Sequence, residues 1–458
     1  MKFFLKKILA VILTAVLAAA IFTAGIRTGP AVAAEAETEV QELTPAGRNK
    51  LNDRLLEEIV RRTKEAAKAG HPKVDFRDLN IGVTLTSSDY DPDYYRVTRA
   101  LEQAVDEVLY IKMGSNIRKV AYSYPDTEDQ GGVDAYGCGE YLLSGATIEF
   151  NGMYRDLMSI NYEEGYKDFD PKILEDASEK ISQSYDIALS QVKEGMSDIE
   201  KALVLYDYLM ELNNYPDLWY TEWCDSDDGG YSTDVFESKY HSPENIFLEQ
   251  KGVCSAYGEA YAMLLCDAGI EAMSISSAEI NHEWTMIKLD GVWYHCDPTW
   301  DDPRYEWGYT ANGDYNDDHW DMSYMKHDYF LLSEDEILTD HPGQRYWQEA
   351  PMLTEINYEE SVPAAAAEPG YQNYFFRGGA DWGNDHKLNY IDGYWYVQDY
   401  YNGIYKLKCE PDAEPQAKYV LPGDERILRL TGDQKQLYAM TDKNIYTFDP
   451  ETGSFTKL

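Results

Sequence analysis

The sequence predicts an α+β protein whose core packs one helix against an antiparallel sheet. Three observations predict this class. Apolar residues recur at helical spacing after Cys254, two aromatic-rich runs flank the Asp290-Gly291 pair, and residues 371–458 alternate short Tyr-rich runs with turn signals. The combination of helical segments with tight hairpins is typical of the α+β class.

Residues 1–34 are expected to be an export signal. Three lysines among the first seven residues precede an apolar run over residues 8–26, and Ala31-Val32-Ala33 supplies the small residues that a signal peptidase requires. The apolar run is long for a signal, so an uncleaved anchor is the alternative. No later segment approaches membrane-spanning length, and we expect a soluble protein that is secreted or lies at the cell surface.

Residues 35–180 are predicted to form an N-terminal α+β unit. A charged helical pattern covers residues 52–68, a strand is expected at 81–85, and a second helix at 94–109. No motif in this unit indicates chemistry, so its expected role is to support a substrate cleft or to form one of its walls.

A cysteine begins the helix of the central unit, residues 181–340. Gly252 and Val253 lead into the helical pattern, which Gly269 ends. Cys254 therefore lies in the first turn, where unpaired N–H groups and the positive end of the helix dipole stabilise a thiolate. The backbone N–H of Cys254 is also a natural oxyanion donor. Candidates for a second donor, by upstream position, are Trp219, Trp223 and Gln250.

Asp290-Gly291 predicts a two-residue hairpin turn of type I′, because both positions must accept positive φ. Counting outward from this turn places Trp284 opposite Asp297. His282 shares the face of Trp284, because side chains alternate along a strand. His282 and Asp297 are therefore predicted to be diagonal neighbours, within reach of one imidazole–carboxylate hydrogen bond. A β-bulge would place them on opposite faces.

These residues resemble the transglutaminase-like superfamily over roughly residues 183–340. The motifs that carry the resemblance are GVC followed by Tyr257, His-x-Trp at 282–284, DGVWYHCD at 290–297 and DPTWDDP at 297–303. Two further segments are similar to the helix before the catalytic helix and to the closing segment of bacterial secreted members. They are MSDIEKALVLYDYLMELNNYP at 196–216 and YFLLSEDEI at 329–337.

The resemblance implies a papain/transglutaminase-like core, in which a helix carrying Cys254 packs on a sheet carrying His282 and Asp297. It implies that these three residues form a catalytic triad. The Cys254 thiolate would attack an amide carbon, His282 would hold and then donate the proton, and Asp297 would orient His282. Water or a primary amine would resolve the thioester, and hydrolysis is favoured over cross-linking. Three tryptophans are expected to pack around the site: Trp284, Trp293 and Trp300.

Residues 341–370 are predicted to be a linker and residues 371–458 a Tyr-rich β-hairpin unit. The linker assignment rests on the stretch from Pro363 to Gly370, which is rich in alanine and proline. WYVQDYYNGIYKL and LYAMTDKNIYTFD have the pattern of two copies of one hairpin. The unit is expected to form a small sheet whose tyrosines belong to the core, with an aromatic platform for carbohydrate or protein as the alternative.

Composition limits the classes of partner. A formal net charge of -42 repels nucleic acid and anionic lipid. Six cysteines are too few for a disulfide framework in a chain of 458 residues, and none forms a C-x-x-C pair for zinc. The acid-rich stretches at 225–230 and 312–318 depart from a calcium-binding loop, and no nucleotide fingerprint occurs. The sequence therefore predicts neither a cofactor nor a metal.

Two functions follow from these patterns. The first is a secreted, thiol-dependent acyl-transfer enzyme that acts on proteins or cell-wall peptides. The second is a non-catalytic cell-surface binding protein that keeps the same fold and uses its Tyr-rich C-terminal unit for the interaction. Taken alone, Cys254 could be a buried small residue, His282 a core residue and Asp297 the start of a turn. Their combination on one helix and one hairpin favours the enzyme.

Overall fold

Helices and antiparallel sheets make up the structure, which confirms the predicted α+β class. The computed structural model of the chain describes residues 42–85, 92–129, 138–157, 169–215, 238–277, 280–302, 325–341, 346–349, 362–379, 381–383 and 385–458. Several predicted features lie outside these residues: the export signal, Trp219, Trp223 and the acid-rich stretches at 225–230 and 312–318.

The helices within the described residues are α1 (Asp53–Ala69), α2 (Pro92–Asp106), α3 (Gly152–Leu157), α4 (Pro171–Leu189), α5 (Asp198–Leu212), α6 (Pro243–Glu249), α7 (Cys254–Asp267), α8 (Pro298–Asp301) and α9 (Glu334–Ile337). In this part of the chain, no helix combines the length and the apolar character that crossing a bilayer requires.

The strands of the N-terminal and central parts are β1 (Lys73–Asp75), β2 (Gly82–Leu85), β3 (Tyr110–Met113), β4 (Asn116–Lys119), β5 (Ala121–Asp129), β6 (Gly139–Phe150), β7 (Ala272–Ser277), β8 (His282–Leu289), β9 (Val292–Cys296), β10 (Phe330–Leu332) and β11 (Tyr346–Glu349). Those of the C-terminal part are β12 (Asn389–Ile391), β13 (Tyr394–Gln398), β14 (Gly403–Leu407), β15 (Ala417–Val420), β16 (Ile427–Gly432), β17 (Leu437–Thr441), β18 (Ile445–Asp449) and β19 (Ser454–Lys457).

The N-terminal part places α1 and α2 against a four-stranded sheet in which β6 pairs with β1, β2 and β5. Helix α1 follows the predicted pattern, because the Asn52 side chain accepts from the Leu55 N–H at its start and Gly70 ends it at φ +80. Buried Ile59, Val97 and Leu101 face the sheet. The second helix, predicted from residue 94, begins at Pro92. Proline fits the first turn of a helix because the N–H that it lacks would have no partner there.

A five-stranded antiparallel sheet forms the central part, in the order β10-β9-β8-β7-β11. Helix α7 packs on β7 and β8. The approach is close at Gly258, where an added Cβ would lie 2.7 Å from the Ser274 Oγ and 3.3 Å from the Trp284 carbonyl oxygen. A side chain at residue 258 would therefore push the helix away from the sheet.

Two four-stranded antiparallel sheets follow, β12-β13-β14-β15 and β16-β17-β18-β19. The two repeated hairpins have the same register, since Val397 pairs with Tyr405 in the first and Ala439 with Tyr446 in the second. Tyr396 and Tyr405 are 2% and 4% exposed, so they contribute to the core as the sequence favours.

Charged side chains join these parts. Glu211 at the end of α5 accepts from Lys387, from Arg429 at 3.1 Å and from Thr431 at 3.3 Å. On the other side, Arg118 of β4 donates to Glu244 at 2.7 Å and to Glu259 of α7 at 3.1 Å. The helix that carries Cys254 is thereby connected to the N-terminal strands.

Candidate active site

Cys254 is the first residue of α7, as the sequence predicts. Val253 precedes the helix in an extended conformation, and its N–H donates to the Tyr240 carbonyl at 2.8 Å. The first N–H groups of a helix have no partner within the helix, so this end can receive negative charge. The Cys254 side chain is partly exposed. A thiol in this position is accessible to a substrate.

The hairpin that carries His282 has the predicted register. Asp290 and Gly291 adopt positive φ of 51° and 83°, as a type I′ turn requires. The ladder runs without a bulge from the Leu289–Val292 pair to the Thr285–Cys296 pair. The strand ends at Cys296, and Asp297 caps α8 instead of continuing the ladder.

The structure brings the three predicted residues together. The Nε2 atom of His282 lies 2.6 Å from Oδ2 of Asp297. The Cys254 thiol lies close enough to His282 to contribute to the raised pKa of its imidazole. Because Nε2 faces the carboxylate, Nδ1 is the nitrogen that remains for the sulfur. The imidazole of His282 therefore contacts the carboxylate of Asp297 and lies near the thiol of Cys254.

Burial increases along this series of residues. Cys254 is partly exposed, His282 is 7% exposed and Asp297 is fully buried. A substrate can therefore reach the sulfur, while the carboxylate is shielded from water. Charge interactions are stronger in such a shielded environment than at the surface.

The protonation equilibria of the pair follow from this burial and from its charges. Burial disfavours the charged ring, yet the charge of Asp297 and the hydrogen bonds to Asp297 and Cys254 outweigh it and raise the pKa of His282 to about 10. Burial also disfavours the charged form of Asp297, and by itself it would raise the pKa of this carboxyl. The charge and hydrogen bond of His282, with a hydrogen bond from His341, nevertheless hold the pKa of Asp297 well below its usual range. An imidazolium–carboxylate pair is therefore favoured.

We expect this pair to make stability depend on pH. The stabilisation from His282 is complete below its ordinary pKa of 6.5 and is lost as pH rises through about 10, because its pKa is raised in the folded state. The stabilisation from Asp297 is lost as pH falls below the ordinary 3.8. Urea unfolding of the wild type and of His282→Gln should differ most near about pH 5 and converge toward about pH 10. A difference that stays constant over this range would contradict the assigned pair.

Side-chain contacts fix the elements that carry the site. The Thr285 hydroxyl donates to the Gly258 carbonyl at 2.9 Å, which holds the first turns of α7 beside the start of β8. Helix α8 is anchored by two buried carboxylates. Tyr206 of α5 donates to Asp301 at 2.6 Å, and Tyr257 of α7 donates to Asp302.

Aromatic rings enclose the His282 side chain. The rings of Trp284 and Trp300 lie 5.8 and 5.4 Å from its ring centroid. Trp284 is fully buried and donates through Nε1 to Nδ1 of His295 at 3.0 Å, and Trp293 is 8% exposed. This arrangement agrees with the packing role that the sequence favours for the tryptophans.

His341 is a residue of the site that sequence reasoning missed. Its Nε2 lies 3.0 Å from the same Oδ2 atom of Asp297 that His282 contacts. The sequence assignment made residue 341 the first position of a linker. The sequence feature that could have indicated His341 was its position next to Asp340, shortly after the predicted closing segment. A histidine beside an aspartate is a weak indication of a site by itself.

A metal-like grouping occurs here. His282, Asp297 and His341 offer donor atoms within 4.8 Å of one another, the spacing of a metal site. Both ring nitrogens, however, form hydrogen bonds to one carboxylate oxygen, at 2.6 and 3.0 Å. The donors therefore satisfy one another, and the geometry is that of a hydrogen-bonded network. Of the other candidates, Gln250 ends α6 and is exposed.

Comparison with known proteins gives a family for the central part of the chain. The model of the transglutaminase-like superfamily matches residues 186–298, a stretch that includes Cys254, His282 and Asp297. No curated protein matches the chain significantly.

Two solved structures are among those similar to the chain. A TGase is 14% identical, with a TM-score of 0.23 and coverage of 48% of this chain and 50% of that one. A proposed cysteine protease from Cytophaga hutchinsonii is 13% identical, with a TM-score of 0.17 and coverage of 39% and 61%. The chain thus spans less than two thirds of either solved chain. The family resemblance of the chain therefore rests on residues 186–298, which match the transglutaminase-like superfamily model.

Proposed function

We propose that the chain is a secreted thiol-dependent acyl-transfer enzyme that acts on amide bonds of proteins or cell-wall peptides, with Cys254, His282 and Asp297 as its catalytic residues. One observation carries the proposal. The 2.6 Å contact of His282 Nε2 with Asp297 leaves Nδ1 as the ring nitrogen for a nearby cysteine at a helix start. The family match over residues 186–298 supports the same chemistry.

In the proposed reaction the Cys254 sulfur attacks the amide carbon, and a tetrahedral oxyanion forms. The N–H at the start of α7 is in position to stabilise that charge. The His282 imidazolium then gives its Nδ1 proton to the departing amine, the C–N bond breaks, and a thioester remains on Cys254. Asp297 stabilises the imidazolium before this transfer and holds the ring in one orientation.

Either of two molecules can take the acyl group from the thioester. Water yields a carboxylic acid, and a primary amine yields a new amide, with the free thiol restored in both cases. We favour hydrolysis. Incubation of a glutamine-bearing protein with a labelled amine separates the two, because incorporation of label without cleavage would identify a cross-linker.

Alkylation by iodoacetamide tests the thiolate without a known substrate. At about pH 6 a thiol outside an ion pair is almost fully protonated and reacts slowly. We expect Cys254 of the wild type to react about 100-fold faster than Cys254 of His282→Ala, because only the wild type has the paired imidazolium. Peptide mass mapping assigns the adduct to Cys254 among the cysteines of the chain.

Three of the other described thiols supply an internal comparison. Burial raises the pKa of the thiols of Cys266, Cys296 and Cys409. These residues should react slowly in both proteins. Equal Cys254 rates in the wild type and in His282→Ala would overturn the catalytic proposal and favour the non-catalytic binding protein.

The binding-protein alternative has less support from the described residues. Its aromatic platform requires exposed rings on the C-terminal sheets. Tyr390, Tyr396 and Tyr405 are instead 8%, 2% and 4% exposed. These three tyrosines fill the core, so a platform would have to use other rings, such as those of Tyr400, Tyr401 and Tyr438, which are 41%, 72% and 37% exposed.

A further inference from the structure

His341 lies beside His282 at the same carboxylate oxygen of Asp297. The ring is fully buried, and its centroid lies 5.5 Å from that of His282. No step of the proposed reaction uses this residue. Its Nε2 atom nevertheless contacts Oδ2 of Asp297, the oxygen that His282, the proposed general acid, also contacts.

Each ring nitrogen of His341 faces a carboxylate oxygen. Nε2 lies 3.0 Å from Oδ2 of Asp297, and Nδ1 lies 2.8 Å from Oδ1 of Asp340. Asp340 also accepts from the Tyr329 hydroxyl at 2.5 Å. The ring therefore cannot rotate without losing a contact at both ends.

Asp297 is held at both of its oxygens. Oδ1 accepts from the backbone N–H groups of Thr299 at 2.9 Å and Trp300 at 3.3 Å, as the cap of α8. Oδ2 accepts from His282 and His341. The backbone contacts fix one oxygen, and the His341 contact fixes the direction of the other.

The segment that carries His341 is itself well anchored. A capping box between Ser333 and Glu336 begins α9, and the His341 N–H donates to the Ile337 carbonyl at 2.9 Å. The His341 ring packs against Trp300 with a centroid distance of 4.0 Å and against Trp284 at 5.2 Å. Packing and hydrogen bonds thus place its Nε2 with little freedom.

We infer that His341 is a positioning residue for the proposed triad, and this inference rests on the proposed function. Its Nε2–H holds Oδ2 of Asp297 in the direction of His282. The imidazole of His282 then stays oriented with Nδ1 toward Cys254. Positioning groups of this kind, one contact removed from the reacting atoms, typically change activity by about 10- to 100-fold. The unit that activates Cys254 therefore includes His341, with Asp340 as its support.

Two substitutions separate hydrogen bonding from packing at this position. His341→Phe keeps an aromatic ring between the tryptophans but removes both donors. His341→Gln loses the ring but retains an amide N–H that can reach Asp297. We expect the alkylation rate of Cys254 at about pH 6 to fall about 10-fold or more in His341→Phe and to be largely restored in His341→Gln.

His327 provides a matched control. It is also fully buried, and its Nε2 lies 2.7 Å from Oδ1 of Asp207, a carboxylate that is not part of the triad. His327→Phe should lower the unfolding temperature as a buried polar pair is broken. It should leave the rate of Cys254 alkylation in the folded protein unchanged. Circular dichroism on each variant identifies the temperature range in which the protein is folded.

The outcomes distinguish the positioning role from the proposed function. If His282→Ala slows alkylation while His341→Phe reacts as the wild type does, the positioning role is wrong and the triad stands. If His341→Gln is as slow as His341→Phe, an N–H toward Asp297 does not rescue the site and the hydrogen bond does not account for the effect. If His327→Phe is equally slow, loss of any buried histidine–carboxylate pair accounts for it. Either result overturns the positioning role. If His282→Ala itself reacts as the wild type does, the proposed function and the positioning role fail together.

Discussion

Replacement of Cys254 by alanine should abolish acyl transfer and leave the fold intact. The substitution removes the sulfur that forms the thioester, and a loss of roughly 10⁵- to 10⁶-fold in rate is expected for a nucleophile. Cys254 is partly exposed at a helix start, so alanine adds no strain and removes little packing. The measurement uses p-nitrophenyl acetate as a small acyl donor, with hydrolysis followed by absorbance and the acetylated residue by mass.

The same helix offers the control for this experiment. Cys266 lies near the other end of α7, and its thiol contacts the Ala272 carbonyl at 3.5 Å. Cys266→Ala should hydrolyse the ester at the wild-type rate and keep the acetyl adduct on Cys254. Ester turnover that survives in Cys254→Ala would assign the chemistry to another group and contradict the proposal.

Replacement of Asp297 by alanine should affect both stability and reactivity. The free energy of unfolding should fall by about 3 to 5 kcal/mol, because a buried ion pair is broken and the imidazolium loses its partner. The cap of α8 is lost as well, since Thr299 and Trp300 donate to this carboxylate. The rate of acyl transfer from p-nitrophenyl acetate should fall about 10³- to 10⁴-fold, as turnover does in other triads that lose their carboxylate.

Asp297→Asn separates these two effects. Asparagine can keep one oxygen on the backbone N–H groups of α8, so part of the stability should return. Its amide nitrogen would then face His282 and His341, which both donate toward this position. Urea unfolding should therefore show a smaller loss than in Asp297→Ala, while alkylation of Cys254 at about pH 6 remains slow. Alkylation at the wild-type rate in Asp297→Asn would contradict the role of the carboxylate.

Turn chemistry and the spacing of apolar residues were sufficient to predict the central hairpin and the helix that begins at Cys254 from the sequence. The turn chemistry of Asp290-Gly291 fixes the register, and the register fixes which side chains share a face. The helix start at Cys254 follows from the spacing of apolar residues after Gly252-Val253. In these elements the determining contacts lie within a few residues along the chain.

His341 could not be predicted by the same rules. It lies 44 residues from Asp297 in sequence, and the intervening stretch has no periodicity that relates the two. Its placement depends on the packing of α9 and β10 beside β9, which is a tertiary result. The end of β9 is a similar case. Pro298 cannot donate to a ladder, so Asp297 leaves the strand and caps α8.

The contacts of Arg118 have a consequence for any attempt to isolate the central part of the chain. Its guanidinium neutralises Glu244, which is 1% exposed, and Glu259 on the helix that begins with Cys254. A fragment that starts at residue 181 would lack this arginine and retain the buried Glu244 and the partly exposed Glu259 without their counter-ion, a costly arrangement for Glu244. The N-terminal part of the chain thus supplies the counter-ion for a buried acid of the central part, and we expect the isolated central part to be less stable than the same residues in the full chain.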